Sequence, residues 1–140
     1  MNQPAIIDSN VLVSGILSKE KDSPLSAIVD KMLSGELPFL LSPQLLSEYR
    51  NVPLRPKIVQ LHGLTEEEID KMLEEIALDA IWREPQAAAA APDPGDDHLW
   101  ALMSAVPGSI LVTGDQLLLK NPPPGASVLS PRSYMELKKW

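Results

Sequence analysis

Residues 5–7 read Ala-Ile-Ile and stop at Asp8-Ser9-Asn10, and this abrupt change constrains the fold more than any other stretch. Successive residues of a strand point to opposite faces, so an unbroken apolar run calls for cover on both sides, as in a parallel sheet flanked by helices. In an open sheet of that kind, ligands bind outside the carboxyl ends of the strands. Asp8 is then expected where a site would be built. The alternative is an acid that starts a turn or caps a helix.

The chain beyond Asp8 repeats the alternation. No element is assigned to Val11–Leu17, an apolar stretch with Ser14 and Gly15 inside it. Ser23 as N-cap and Pro24 at the first helical position open a helix carrying Leu25, Ile28, Val29, Met32 and Leu33, which Gly35 stops. Phe39-Leu40-Leu41 suits a second buried strand. Strand, helix, strand with so long a crossover implies parallel pairing and a right-handed connection. Ser42 and Pro43 start another helix, with Leu45, Tyr49 and Val52 on one side. Glu48 falls on that same side, where an acid is costly unless something positive meets it. The alternative is a glutamate at the rim of the stripe, or one paired with Arg50 or Arg55.

A turn and one short helix are expected within residues 51–63. Thr65 then opens a capping box with Glu68, ahead of Ile69, Met72, Leu73, Ile76 and Ala77 at helical spacing. The acids of this helix are expected to face water. Ala80-Ile81-Trp82 reads as a short edge strand and Gln86–Ala91 as an alanine-rich connector. Pro92–Asp97 is a turn that becomes a helix start, with Leu99, Leu102, Met103 and Val106 as the buried stripe. Asp96 lies near the inward edge of that stripe, and Asp97 projects about a hundred degrees further round. Ser109–Val112 is a further buried strand, ending in Thr113-Gly114-Asp115. Leu117–Leu119 is a short helix or turn, Asn121–Gly125 is irregular, Ala126–Leu129 is a last strand and Pro131–Lys139 a closing helix. No internal repeat is present.

At 140 residues the expectation is one domain over residues 1–140, α/β in class, with a mostly parallel sheet between two helical layers. Cysteine is absent, which excludes disulfides and thiolate metal sites. No run approaches the ~20 apolar residues of a membrane span, nor is a secretory leader visible, so a soluble cytoplasmic protein without a membrane partner is expected. The net charge of -7 is the opposite of a basic nucleic-acid footprint. Eight of the acids lie between Glu66 and Glu84, on a solvated helix, and the others are placed differently.

If the strands are parallel, Asp8 and Asp115 share one edge of the sheet, and Glu48 and Asp96 can converge on it. Carboxylates packed together repel unless they hold cations. Oxygen-only ligands select magnesium or manganese over zinc, and such ions commonly serve phosphoryl chemistry. His62 and His98 are read as isolated surface histidines. Trp82, Trp100 and Trp140 are read as packing or interface groups. Lys19, Lys21, Arg50, Arg55 and Lys57 are candidates to contact phosphate, or else ordinary solvated cations.

Ile6-Ile7-Asp8-Ser9-Asn10-Val11-Leu12-Val13-Ser14, Glu48 in its helix, Asp93-Pro94-Gly95-Asp96-Asp97 and Val112-Thr113-Gly114-Asp115 together resemble a PIN-domain protein, closest to those classed as toxins of toxin–antitoxin pairs. The resemblance covers essentially the whole chain. It implies a three-layer α/β/α sandwich and a Mg²⁺- or Mn²⁺-dependent ribonuclease, with RNA as substrate, an antitoxin protein as partner and a homodimer as assembly. Asp8, Glu48, Asp96 and Asp115 match the family's acidic, metal-holding site, and Asn10 and Thr113 match supporting polar positions. Asp97 stands where a further acid or an asparagine is common, and Gly95 where another acid often stands. Two other readings are a non-catalytic module of the same fold that binds RNA or protein, and a haloacid-dehalogenase-like phosphatase. Against the second, Asn10 replaces that group's second aspartate and no cap is evident.

Overall fold

Five short strands run parallel through the middle of the molecule, and their order decides where a site can form. The structure is a computed structural model that describes residues 3–18, 23–86 and 90–138. Lys19, Lys21, the middle of the alanine connector, Lys139 and Trp140 lie outside the described residues. Strand β1 (Ala5–Ile7) pairs with β4 (Ile110–Val112), and β4 with β5 (Ser127–Leu129). On the other side β2 (Leu40–Leu41) pairs with β3 (Ile81–Trp82), and a parallel bridge between Ala5 and Phe39 joins this pair to β1. The order is therefore β3-β2-β1-β4-β5. The chain moves outward from β1 to β3 on one side, then returns to build β4 and β5 on the other. The reversal lies between β1 and β4, and an open parallel sheet leaves a crevice at such a point.

All residues of β1 and β4 are buried, Ile6, Ile7, Leu111 and Val112 completely, so both faces of the sheet are covered. Each such side chain contributes about 1.5–3 kcal/mol of burial free energy. Helices α2 (Pro24–Ser34), α3 (Pro43–Asn51), α5 (Glu66–Asp79) and α8 (Pro131–Lys138) occupy the expected positions. Ser23 and Ser42 accept from the backbone N–H of Ser26 and Leu45, and the Thr65–Glu68 capping box is complete. Gly35 ends α2 in the left-handed region at φ 82°. A short α4 (Pro56–His62) fills the segment after α3, and α6 (Asp97–Ala105) packs on β4. α7 (Gln116–Lys120) is a single short turn of helix. This is the mostly parallel α/β architecture expected. No helix among the described residues is long and apolar enough to cross a membrane.

The unassigned stretch is a helix, α1 (Ser9–Leu17), which begins directly after Asp8. Val11, Leu12, Val13 and Gly15 are all buried, so it has no wide polar face to betray its period. Gly15 is where α1 meets α2: a Cβ there would lie 2.4 Å from Val29 Cγ2 and 2.7 Å from the Leu25 carbonyl oxygen. Strand ends are also tighter than expected, since Ser109, Ala80 and Ala126 fall just outside β4, β3 and β5.

Candidate active site

Asp8 is the first residue past β1 and is 5% exposed. Its backbone N–H still donates to the Val112 carbonyl, so it enters the site directly from the sheet. One carboxylate oxygen, Oδ2, accepts from the Thr113 hydroxyl at 2.8 Å and from Asn10 Nδ2 at 3.2 Å. Thr113, fully buried past the end of β4, accepts in turn from the Asp115 backbone N–H at 3.0 Å. Asn10 spans the crevice by accepting from the Gly114 N–H at 3.3 Å. The ends of β1 and β4 are thus tied together at the reversal point. Asp115 is half-buried and caps α7, where its Oδ1 accepts from the Leu117 N–H at 2.9 Å.

Glu48 reaches the same edge from α3. The neighbouring residue, fully buried Tyr49, donates its hydroxyl proton to the Ile7 carbonyl and so pins α3 to the residue before Asp8. Burial, then the charges of Asp8 and Glu48, hold the Tyr49 hydroxyl well above the ordinary phenol range. Asp96 closes a turn of 3₁₀ helix (Pro94–Asp96) at the mouth of α6. Its carboxyl is pushed up to about 6 by burial, with further contributions from Asp8, Asp93, Asp115 and Glu48. Asp8 is also raised, first by burial; the Thr113 and Ser9 hydrogen bonds oppose this, while Glu48 and Asp115 add to it. Four acids from four places in the chain therefore feel one another at one edge of the sheet.

Two expectations, on His98 and on the partner of Glu48, are corrected, and Asp97 has a structural bond of its own. Asp97 is exposed and turned to a structural task, accepting from the Ala91 N–H at 2.7 Å, which ties the connector to the start of α6. His98 is no surface residue: it is 6% exposed, and its Nε2 lies 2.9 and 3.0 Å from the two oxygens of Glu48. The group meeting Glu48 is thus His98 and neither Arg50 nor Arg55. Arg50 instead faces α5, paired with Asp70 at 2.9 Å and with Glu66. Two acids of that helix consequently carry an ion pair. Spacing held a clue to His98, which precedes buried Leu102 by four residues and so shares its face. His62 joins loop backbone, with Nδ1 accepting from the Leu64 N–H at 2.8 Å and Nε2 at 2.9 Å from the Pro53 carbonyl. Trp100 is buried as a packing group, and Trp82 is 43% exposed on the edge strand.

Among the described residues, no three acidic or histidine side chains stand grouped as the ligand set of one ion. Magnesium does not require that, because it keeps several waters and is usually held through one or two carboxylates. The all-oxygen donor set fits a hard divalent cation, as do Asp8 and Asp96, which burial raises first and the neighbouring acids raise further. A family model described as a PIN domain matches residues 4–117, a span that contains all four acids. No curated protein matches the chain.

Proposed function

This chain belongs to the PIN-domain family, and from that premise we propose that it is a Mg²⁺- or Mn²⁺-dependent endoribonuclease hydrolysing phosphodiester bonds in RNA. PIN domains are generally nucleases and generally depend on a divalent metal. The observation that carries the reading is the junction of Asp8, Asn10, Thr113 and Asp115 at the reversal of strand order, with Glu48 and Asp96 facing it.

Asp8, Asp115, Asp96 and Glu48 are the residues that would hold the ion. When bound, such an ion activates water and stabilises charge on the attacking and leaving oxygens. The remaining groups orient. Thr113 and Asn10 fix one oxygen of Asp8, and Thr113 also holds the backbone N–H of Asp115. Tyr49 keeps α3 against β1, which keeps Glu48 at the edge. Because these supports come from the end of β4 and from α1 and α3, the acids are held by packed elements rather than by a loose loop.

Cleavage of single-stranded RNA with Mg²⁺ or Mn²⁺, by the wild-type chain and by Asp8→Asn, tests the reading. Activity is expected from the wild type alone and none in chelator; equal activity in both proteins contradicts it. Running single-stranded DNA alongside decides the choice of nucleic acid. The narrower reading is the toxin of a toxin–antitoxin pair, with an antitoxin protein as partner and a homodimer as assembly. Expression that arrests growth and is relieved by a small co-encoded protein supports it, whereas growth unaffected by expression counts against it.

A further inference from the structure

We propose that His98 is a positioning residue that holds the Glu48 carboxylate in place within the acid site through its Nε2–H. The inference rests on the nuclease reading for its consequence but not for its geometry. Nε2 lies almost equally far from both Glu48 oxygens, at 2.9 and 3.0 Å. A carboxylate only accepts, so the ring nitrogen between its two oxygens must be the donor. The two partners differ in freedom. The His98 side chain is 3% exposed and that of Glu48 30%, so a ring packed on α6 steadies a carboxylate that reaches toward solvent. Left alone, a glutamate has three rotatable bonds and must lose rotamer entropy on being fixed.

Among the described residues His98 has no other anchor that would explain its polarity. Its Nδ1 is buried and makes no hydrogen bond among the described residues, which leaves Glu48 as the ring's partner there. A residue serving only to fill the core would be better as leucine or phenylalanine, since an unsatisfied ring nitrogen is costly when buried. The placement is also economical. α6 begins at Asp97, so one helix start presents Asp96 to the site and, two residues later, the clamp for Glu48. Glu48 is in turn held from its own side by Tyr49 on the Ile7 carbonyl. The glutamate is therefore fixed through β1 below it and α6 beside it.

Two amides separate a positioning role from mere filling. In His98→Gln the side-chain nitrogen reaches the place of Nε2, whereas in His98→Asn it falls one carbon short. Mn²⁺ affinity, read by the loss of the free-ion paramagnetic resonance signal, is expected to fall tenfold to a hundredfold in His98→Asn and to stay within about threefold of wild type in His98→Gln. RNA cleavage is expected to follow the same order, while melting temperatures of the two variants agree. Equal behaviour of the two amides, in either direction, overturns the proposal. Nitrogen-15 NMR of the imidazole provides a readout independent of metal and activity. An exchange-protected Nε2–H is expected in the wild type and is lost in Glu48→Ala; if it is absent, or unchanged in Glu48→Ala, the proposal falls. A wild type that binds no Mn²⁺ but shows this protected proton refutes the metal-dependent reading and leaves the His98–Glu48 clamp standing.

Discussion

Replacing Asp96 by asparagine should make this protein more stable while removing its activity. The carboxyl of Asp96 is raised from 3.8 to about 6, so the folded state binds its proton more tightly than the unfolded chain does. For an acid with a raised pKa the sign follows directly: the folded state holds more protons between the two values, and stability falls as pH rises through that window. A shift of just over two units corresponds to roughly 3 kcal/mol at most. Asp96 is only half-buried, and solvent screening reduces that to about 1 kcal/mol. Asp96 makes no side-chain capping bond to α6, so asparagine removes the charge without removing a cap. Thermal unfolding in chelator should show Asp96→Asn melting about 3 °C above wild type at pH 7.5. The gain should shrink steadily as the pH is lowered from 6 to 4. Adding Mn²⁺ should reverse the order, because an ion bound only by the folded state stabilises the protein that keeps the ligand. A variant less stable than wild type at pH 7.5, or a gain independent of pH, would refute the electrostatic account of this site.

Thr113→Val should cost about 1–3 kcal/mol, since it strips a fully buried hydroxyl that both donates to Asp8 and accepts from the Asp115 N–H. Thr113→Ser should restore both bonds and most of the RNA cleavage, and equal losses in the two variants would show that the methyl group matters and the hydroxyl does not. Asp97→Ala should lower stability by about 1 kcal/mol through the lost bond to Ala91 while leaving cleavage within a few-fold of wild type. Urea unfolding beside a cleavage assay checks this, and a loss of activity as deep as that of Asp8→Asn would restore Asp97 to the acid site.

The parallel α/β plan was legible because local signals there agree with the tertiary outcome. Ser23-Pro24, Ser42-Pro43 and the Thr65–Glu68 box write helix starts into the chain, and the apolar runs of β1 and β4 announce burial on both faces. α1 was not legible for the opposite reason: Val11, Leu12, Val13 and Gly15 are buried by neighbours the chain supplies later, so neither a polar face nor a side-chain cap marks it. In the site, Asp8 and Asp115 were visible as acids ending strands, and Glu48 as an acid on an apolar face. What meets Glu48 was invisible, because His98 lies fifty residues away and becomes its neighbour only when α6 packs near α3. Asp96 and Asp97 are adjacent and chemically alike. Their division of labour depends on the 3₁₀ turn that carries one toward the acids and the other to the Ala91 N–H.

In the proposed reading, Asp8, Glu48, Asp96 and Asp115 together make a place for a divalent cation. Crystals soaked in Mn²⁺ and measured at the manganese absorption edge test it most directly. An anomalous peak is expected between Asp8 and Asp115 at the carboxyl ends of β1 and β4, diminished in Asp8→Asn crystals. Manganese bound only elsewhere, with these four side chains unmoved and unliganded, would contradict it.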